Sequence, residues 1–229
     1  MSPHVIGLYA SAAVVVGVGL RTLVLVGGAA AGDGGGPGEV VAVVRAAWAR
    51  RPWVTSALFV VMAVMAVVQS VAPSVIGELG RRPGALTDGQ WWRAGTALLV
   101  QSSGWAQIAM NLSALLVIGA VAESVLGRGW SLTVFLVSGV AAHVVSLSGW
   151  SPSGGGDSVA ICGLLGALAV GCLLRGRWQV SWFVLLIPAC GLFLCLLRNN
   201  HGAGLVAGCL LGLVCAPRPW GHAARQVAG

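Results

Sequence analysis

The chain consists largely of apolar runs of membrane-spanning length, separated by loops that carry most of the charged residues. A helix that crosses a bilayer needs roughly 20 apolar residues. The runs predict six spans, at 54–72, 104–122, 130–148, 158–174, 178–197 and 201–215. Only 8% of the 229 residues are charged and 57% are hydrophobic, whereas about 25% of residues are charged in soluble domains. The sequence therefore predicts an all-α protein that crosses the membrane several times.

The basic residues are all arginine, and their distribution predicts the orientation of the spans. Cytoplasmic loops are enriched in Arg and Lys. If the segment before the first span is cytoplasmic, eight arginines lie inside (45, 50, 51, 128, 175, 177, 218 and 225) and four lie outside (81, 82, 93 and 198). We therefore expect a plasma (inner) membrane protein in which both termini of the six-span core are cytoplasmic. The net charge of +7 is then explained by the arginines that fix the orientation of the spans, and we expect no nucleic-acid partner.

The sequence outside the core is less regular. Residues 1–52 form an N-terminal extension with an apolar segment, interrupted by Arg21, and a Gly-rich linker at 32–38. This extension is compatible with an extra span or with a loose segment; a signal peptide is less favoured, because the start Met-Ser-Pro-His lacks basic residues. Residues 53–217 form the six-span domain, and residues 218–229 form a short cytoplasmic tail. The six cysteines all lie in apolar runs, which predicts packing roles and no disulfide or zinc site.

Strongly polar side chains within spans are costly and so mark candidate functional residues. The candidates within the predicted spans or directly at their ends are Gln107, Asn111, Glu123, His143, Ser158 and His201. The predicted topology puts Ser158, His201, Gln107 and Asn111 near the outer ends of their spans, at a similar depth. A hydroxyl, a base and amide donors at one depth are the groups that nucleophilic acyl transfer requires.

Two stripes of small residues have the same helical phase as the candidate serine and histidine. Gly204, three residues after His201, begins a repeat of glycines every four residues that continues with Gly208 and Gly212. On the other span, Cys162, Gly166 and Ala169 lie on the same helix face as Ser158. Small residues at this spacing allow two membrane helices to approach closely. If the two stripes pack together, Ser158 and His201 come within reach of each other.

Several motifs resemble those of the rhomboid family of intramembrane serine proteases, in order and in spacing. The segment Gly-Asp-Ser-Val-Ala-Ile-Cys-Gly-Leu-Leu-Gly at 156–166 resembles the family's serine motif, and His-Gly-Ala-Gly-Leu-Val-Ala-Gly at 201–208 resembles its histidine motif. Trp92 and Arg93 are similar to the Trp-Arg of the family's outer loop. Asn111, Gly119, Glu123 and Gly127 match residues of its second span. The resemblance covers residues 53–216.

The resemblance implies a six-helix rhomboid bundle around a water-filled cavity that opens to the outside, with the N-terminal apolar segment as a possible additional helix. It implies that Ser158 is the nucleophile, that His201 is its general base, and that Asn111 and backbone N–H groups stabilise the oxyanion. Gln107 stands where many members have histidine, and because glutamine can still donate a hydrogen bond, we expect it to help Asn111 hold the oxyanion. Val159 stands where the family usually has glycine, which predicts a more restricted backbone beside the nucleophile. The family's structural motif corresponds to Trp92, Arg93, Glu123, Gly163, Gly166, Gly204 and Gly208.

The function predicted from these residues is an intramembrane serine endopeptidase that cleaves the transmembrane segments of other membrane proteins with a Ser-His dyad, within the lipid bilayer and without a metal or organic cofactor. An inactive relative that binds membrane helices is the main alternative, because Val159 and Gln107 depart from the family pattern. A transporter or channel is a third alternative, but no inverted repeat is visible. We expect a helix-capping role for Asp157, a structural role for Glu123 with Arg128 or backbone donors, and a packing role for His143.

Overall fold

The computed structural model describes residues 3–27, 37–174 and 182–215. Three predicted features lie wholly or mostly outside these ranges. They are the start of the fifth span at 178–181, the Gly-rich linker at 32–38 and the tail at 218–229.

The described part of the chain is helical. Its helices are α1 (Pro3–Gly27), α2 (Pro37–Ala49), α3 (Trp53–Val71), α4 (Ser74–Leu79), α5 (Arg93–Thr96), α6 (Trp105–Leu126), α7 (Arg128–Trp150), α8 (Ser158–Leu174), α9 (Trp182–Leu196) and α10 (Asn200–Cys215). The only strand-like pairing in the described ranges is one antiparallel bridge between Arg81 and Gly154. The π-helical turns Leu115–Gly119 in α6 and Ser146–Trp150 at the end of α7 interrupt otherwise regular helices.

These helices confirm the predicted fold class, an all-α membrane bundle. The helix α1 from Val5 onward, α3, α6 and α7 are each long and apolar enough to cross a membrane, and α8, α9 and α10 are shorter apolar helices. The predicted spans correspond to α3 and to α6–α10. The largest boundary difference between described residues is at the end of α6, which continues to Leu126 because the polar Glu123 is bonded within the protein instead of facing water.

Helix α8 is the centre of the bundle. Its residues are almost all apolar, and side chains on every face of it are buried. It packs against α1, α6, α7, α9 and α10, and its closest neighbour is α10. A helix that is hydrophobic all round is expected to be surrounded by other helices.

Glycines explain how closely α8 and α10 approach each other. A side chain at Gly204 would overlap the backbone carbonyl of Val159, and a side chain at Gly208 would overlap that of Gly163. On α8, a side chain at Gly166 would overlap the carbonyl of Leu205. Because membrane helices gain little from excluding lipid, such close contact is a main source of their association. The contact puts the N-terminal ends of α8 and α10 side by side.

The N-terminal apolar segment forms an additional helix that packs on the bundle. Helix α1 contacts α8 and α9, and α2 follows it and contacts the end of α6 that the arginine distribution assigns to the cytoplasm. Leu23 of α1 and Val43 and Ala47 of α2 belong to the same buried cluster as the core of α8. Of the alternatives left open by the sequence, the structure favours an extra apolar helix over a loose extension.

The loop between α3 and α6 is ordered by Arg93. Its guanidinium donates hydrogen bonds to the carbonyls of Gly77 and Gly80 and to the side chain of Gln90, and it stacks 4.8 Å from the ring of Trp92. Burial, with a contribution from Arg82, lowers the pKa of Arg93 below its usual value. Residues 94–100 are largely buried, so this segment packs into the bundle rather than lying loosely over it.

Candidate active site

Ser158 and His201 form a hydrogen bond at the adjacent N-terminal ends of α8 and α10. The Ser158 Oγ lies 3.0 Å from the His201 Nε2. Both side chains are half-buried. The two residues are 43 positions apart in the chain, and the glycine contacts between α8 and α10 bring them together.

Asn199 determines the direction of that hydrogen bond. Its Oδ1 lies 2.9 Å from the backbone nitrogen of His201 and 2.9 Å from the His201 Nδ1. A backbone N–H can only donate, so the Asn199 atom that it faces must be the oxygen. The oxygen can only accept a hydrogen bond, so the His201 Nδ1 carries a proton and donates a hydrogen bond to Asn199. In the neutral ring, Nε2 is then the acceptor, and the Ser158 hydroxyl donates to it.

Asn111 belongs to a buried polar network directly beside Ser158. Its Nδ2 donates to the Gln101 Oε1 at 2.7 Å and to the Asp157 Oδ1 at 2.9 Å. The Gln101 Nε2 also donates to the Asp157 Oδ1, at 2.6 Å. Both N–H groups of Asn111 are therefore engaged in this structure. Asn111 and Ser158 line the same cavity between α1, α6 and α8.

Asp157 immediately precedes α8 and is completely buried. Its backbone carbonyl accepts hydrogen bonds from the N–H groups of Ala160 and Ile161, as expected at a helix start. Its carboxyl group accepts from Gln101 and Asn111 instead, and Oδ2 is buried without a partner among the described residues. Burial raises the pKa of the Asp157 carboxyl, and the two amide donors oppose that rise.

Gln107 and His143 hold the loop that precedes Ser158. The Gln107 Nε2 donates to the Gly155 carbonyl at 3.1 Å, and its Oε1 accepts from the backbone of Ser103. The His143 Nε2 lies 3.1 Å from the Gly156 carbonyl, to which it must donate. His143, predicted to have only a packing role, is thus a buried hydrogen-bond donor. Gln107 does not line the cavity that contains Ser158 and Asn111.

Arg81 fastens the other side of the same loop. Its guanidinium donates to the carbonyls of Ser153 and Gly154, and its backbone pairs with Gly154. Burial lowers the pKa of Arg81 to about 10. Gly154 and Gly156 have φ values of 92° and 156°, which glycine adopts without strain. The approach of Gly155 to the carbonyls of Ala97 and Val100 leaves no room for a side chain there.

Glu123, Trp92 and Arg93 lie outside this cluster. The Glu123 carboxylate accepts from the N–H groups of Val54 and Thr55 and from the Thr55 hydroxyl, so it caps the start of α3. The Arg128 Nε is 3.7 Å from its Oε1. Trp92 and Arg93 organise the loop between α3 and α6. These three residues have structural contacts and do not touch Ser158 or His201 in the described network.

Val159 follows Ser158 in the first turn of α8. Its backbone is helical, and its side chain is buried in the core cluster. The Val159 carbonyl forms part of the close contact with Gly204.

Three residues outside the set predicted from the sequence take part in the site. Gln69, in α3, exchanges two hydrogen bonds with the backbone of Gln101, and Gln101 joins Asn111 to Asp157. Asn199 orients His201. The signal for Gln69 was present, since it is an amide within an apolar run. Gln101 and Asn199 lie in loops, where a polar residue carries no such signal.

No group of three His, Cys, Asp or Glu side chains in the described ranges is arranged to hold a metal ion. The six cysteines are all free, and none of them belongs to such a group within those ranges. The chemistry that this site can support from its own residues is proton transfer and nucleophilic attack by the Ser158 hydroxyl.

A family model matches the chain, whereas no curated protein does. The family model is described as "Rhomboid domain" and matches residues 88–218, which is more than half of the 229 residues and includes α6–α10. The match, together with the helical membrane bundle, makes this an integral multi-pass membrane protein. The chain belongs to the rhomboid family.

Proposed function

We propose that the protein is an intramembrane serine endopeptidase in which Ser158 is the nucleophile and His201 is the general base. The observation that carries the proposal is the 3.0 Å contact between the Ser158 Oγ and the His201 Nε2, with Asn199 holding the ring in the tautomer that accepts the serine proton. The family supports this reaction, since rhomboids are generally serine proteases that act on membrane proteins.

In the proposed reaction, the Ser158 Oγ attacks the carbonyl carbon of the scissile peptide bond while its proton passes to the His201 Nε2. The resulting tetrahedral intermediate collapses when His201 gives this proton to the leaving amine. A water molecule then attacks the acyl-enzyme ester and loses a proton to His201. Collapse of the second intermediate returns the proton from His201 to the Ser158 Oγ and releases the new carboxylic acid, which then ionises to the carboxylate. Throughout, the hydrogen bond to Asn199 stabilises the imidazolium that forms twice in the cycle.

The negative charge on the substrate oxygen requires donors, and the proposal assigns them to Asn111 and the start of α8. The backbone N–H groups of Ser158 and Val159 have no acceptor within the helix, because they belong to its first turn. Asn111 lines the same cavity as Ser158 and donates to the Gln101 amide oxygen at rest. An oxyanion is a stronger acceptor than this neutral oxygen and would take over that N–H group.

Gln107 has a different place in the proposal. Its amide is committed to the Gly155 carbonyl and the Ser103 N–H. These two hydrogen bonds hold the side chain at the loop, and Gln107 does not line the cavity that contains Ser158 and Asn111. We therefore assign Gln107 to positioning this loop, together with His143, rather than to direct contact with the substrate.

The proposed orientation follows from the arginine distribution. The end of the bundle with Arg50, Arg51 and Arg128 would face the cytoplasm from a plasma (inner) membrane, and the loop with Arg81 and Arg93 would face outward. Ser158 and His201 lie at the same end of the bundle as that outer loop, since Arg81 contacts the segment that leads into α8. Cleavage would then occur in the outer half of the bilayer, on membrane-protein substrates.

The proposal is tested by incubating the protein in proteoliposomes with single-span reporter proteins and identifying the new termini by mass spectrometry. We expect cleavage within the transmembrane segment, lost in both Ser158→Ala and His201→Ala. Cleavage that persists in Ser158→Ala would contradict the assignment. Reporter binding without cleavage, combined with a serine that does not react with fluorophosphonates, would instead favour an inactive relative that binds membrane helices.

A further inference from the structure

A basic pocket lies at the end of the bundle that we propose faces the cytoplasm. The end of α2, the start of α3 and the connection between α6 and α7 meet there around a cavity of about 240 Å³. Three arginines line this cavity, which we call the arginine pocket: Arg50, Arg51 and Arg128. It is separate from the cavity that contains Ser158, because the two have no lining residue in common.

The acidic residue that lines the arginine pocket, Glu123, is already engaged. Its carboxylate oxygens accept hydrogen bonds from the N–H groups of Val54 and Thr55 and from the Thr55 hydroxyl. The Arg128 Nε lies 3.7 Å from the Glu123 Oε1, which is a long ion pair, and the Arg128 side chain is 63% exposed. Three guanidinium charges therefore line the pocket with a single carboxylate, and positive charge is in excess.

Most donors in the arginine pocket are not committed to other described residues. The Arg50 Nη1 makes one long hydrogen bond, of 3.4 Å, to the Ser124 carbonyl. Within the described ranges, the Arg51 guanidinium has neither an ion pair nor a hydrogen bond. Gly127 precedes α7 and supplies no side-chain cap, and an uncapped helix N-terminus favours an anion. The pocket thus combines free guanidinium donors with a helix start of the same electrostatic sign.

The backbone of Arg51 has an unfavourable conformation at this pocket. Its φ value is 55°, in the left-handed region that residues other than glycine rarely adopt. Backbone hydrogen bonds from Arg50 and Arg51 to the carbonyls of Ala47 and Trp48 hold the turn between α2 and α3. Glycine would make this turn without strain, so the turn itself does not explain an arginine there. A strained residue at a polar cavity is a reason to infer a binding role for its side chain.

The position of the arginine pocket favours a lipid as its ligand. The helices α3, α6 and α7 are long enough to cross a membrane, and each begins or ends at the pocket. Trp53, the first residue of α3, is 61% exposed, and tryptophan favours the headgroup level of a bilayer. Basic pockets between membrane helices bind anionic headgroups. The volume is below the range of about 300–1,000 Å³ that is usual for a whole small-molecule ligand, so it suits a headgroup whose acyl chains stay in the bilayer.

We propose that the arginine pocket binds the phosphate group of an anionic membrane lipid, with donors from Arg50, Arg51 and Arg128. Guanidinium groups present paired N–H donors that match two phosphate oxygens. A bound lipid would join the ends of α2, α3 and α7 at one headgroup. The site lies at the opposite end of the bundle from Ser158, so it does not depend on the proposed protease function.

The test measures lipid binding to the full chain in detergent by native mass spectrometry. The probe is phosphatidylglycerol, and the control lipid is phosphatidylcholine with the same acyl chains. Both lipids carry a phosphodiester, but the choline cation would lie among the arginines and be repelled. We therefore expect phosphatidylglycerol to bind with the higher affinity. Equal affinity for the two lipids would overturn the inference.

Single substitutions test the arginines. We expect Arg51→Gln and Arg128→Gln each to lower the affinity for phosphatidylglycerol by about 10-fold, since each removes a charge-assisted hydrogen bond to phosphate. The matched control is Arg45→Gln, because Arg45 is an exposed arginine of α2 that does not line the pocket. It should leave the affinity unchanged. An unchanged affinity in both pocket variants, or an equal fall in Arg45→Gln, would overturn the inference.

Arg51→Gly separates lipid binding from folding. Glycine relieves the backbone conformation, so the unfolding midpoint without lipid should be unchanged or higher, while the affinity for phosphatidylglycerol falls. Inorganic phosphate tests the source of the phosphate group. If it displaced phosphatidylglycerol at an equal concentration, the pocket would be a site for free phosphate and the assignment to a lipid would be wrong. Every measurement can be repeated in Ser158→Ala, where we expect the same lipid affinities.

Discussion

The Asn199 Oδ1 accepts hydrogen bonds from both the backbone N–H and the Nδ1–H of His201, each at 2.9 Å. The first bond caps α10, and the second orients the imidazole ring. This arrangement gives a Ser-His pair a third member that holds the ring, a role that aspartate or asparagine has in other serine and cysteine proteases.

Variants of Asn199 should distinguish the effects of these two hydrogen bonds. Asn199→Ser keeps an oxygen that can cap α10, but its side chain is too short to reach the imidazole ring. We therefore expect near-normal thermal stability and a labelling rate that is lower by about 10-fold or more, because the general base is no longer oriented. Asn199→Asp keeps both contacts and adds a negative charge that favours the imidazolium. Its activity should persist, because its carboxylate oxygen can accept both hydrogen bonds. Labelling rates, measured beside thermal unfolding, test these expectations. Equal activity in wild type and Asn199→Ser would show that the ring contact has no role.

Replacing Asn111 should impair the reaction more than the fold. Loss of one oxyanion donor typically costs about 10²–10³ in rate. We therefore expect Asn111→Ala to reduce the rate of reporter cleavage by this order. Gln101→Ala is the matched control, since it also removes a donor to Asp157 but does not line the cavity with Ser158. If the two variants lost the same activity, the effect of Asn111 would lie in the polar network and not at the oxyanion.

The close contact between α8 and α10 predicts a strong effect at Gly208. A methyl group there would overlap the carbonyl of Gly163, so Gly208→Ala should destabilise the protein by about 1–3 kcal/mol, as overpacking does in tight interfaces. Gly129→Ala in α7 is the control, because a Cβ there meets no atom of the described residues within 4 Å. It should be neutral or stabilising by up to about 1 kcal/mol, since alanine favours helices. Thermal unfolding in detergent distinguishes the two; equal midpoints would contradict the close packing.

Glu123 should be important for stability and dispensable for chemistry. Glu123→Ala leaves the N–H groups of Val54 and Thr55 without their acceptor, which costs about 1–3 kcal/mol for a buried group. Glu123→Gln retains one acceptor oxygen and should therefore lose less stability than Glu123→Ala. The measurement is the unfolding midpoint, together with labelling of the protein that remains folded. A slower labelling rate in folded Glu123→Gln would give this residue a role in the site that its contacts do not indicate.

The buried carboxyl of Asp157 predicts a dependence of stability on pH. Burial raises its folded pKa above the unfolded value of about 4. The folded state then binds the proton more tightly, so the contribution of Asp157 is fully present below the unfolded pKa and is lost as the pH rises through the folded pKa. The stability of wild type relative to Asp157→Asn should therefore fall as the pH rises above the unfolded value of about 4. A difference in stability that stays constant as the pH rises would contradict a raised pKa.

The fold could be predicted because a bilayer restricts the chain so strongly. Backbone groups in lipid must bond within their own segment, so apolar runs of about 20 residues become helices. Gly204 and Gly208 also predict close helix packing from the sequence, because only small residues allow two helix backbones to approach each other closely. These physical limits explain why the fold class can be predicted from the amino-acid sequence, whereas the family follows from the resemblance of the motifs around Ser158 and His201.

The details of the site depend on loops, for which no comparable limit exists. Asn199 caps α10 and thereby orients His201. Because Asn199 and Asn200 are neighbours in the sequence, the sequence does not show which of the two has this role. The link from Gln101 to Asp157 joins two parts of the chain 56 residues apart. The position of α1 beside the cavity that contains Ser158 depends on contacts of Gly19 and Arg21 with residues distant in the sequence. The apolar composition of α1 does not indicate which helices it packs against.

The catalytic pair is tested most directly by reacting the wild-type protein in detergent with a fluorophosphonate and locating the modified residue by mass spectrometry. We expect Ser158 to be the modified serine, and we expect His201→Ala to abolish the modification while preserving the unfolding midpoint. Modification of a different serine, or unchanged modification of Ser158 in His201→Ala, would contradict the claim that these two residues form the catalytic pair.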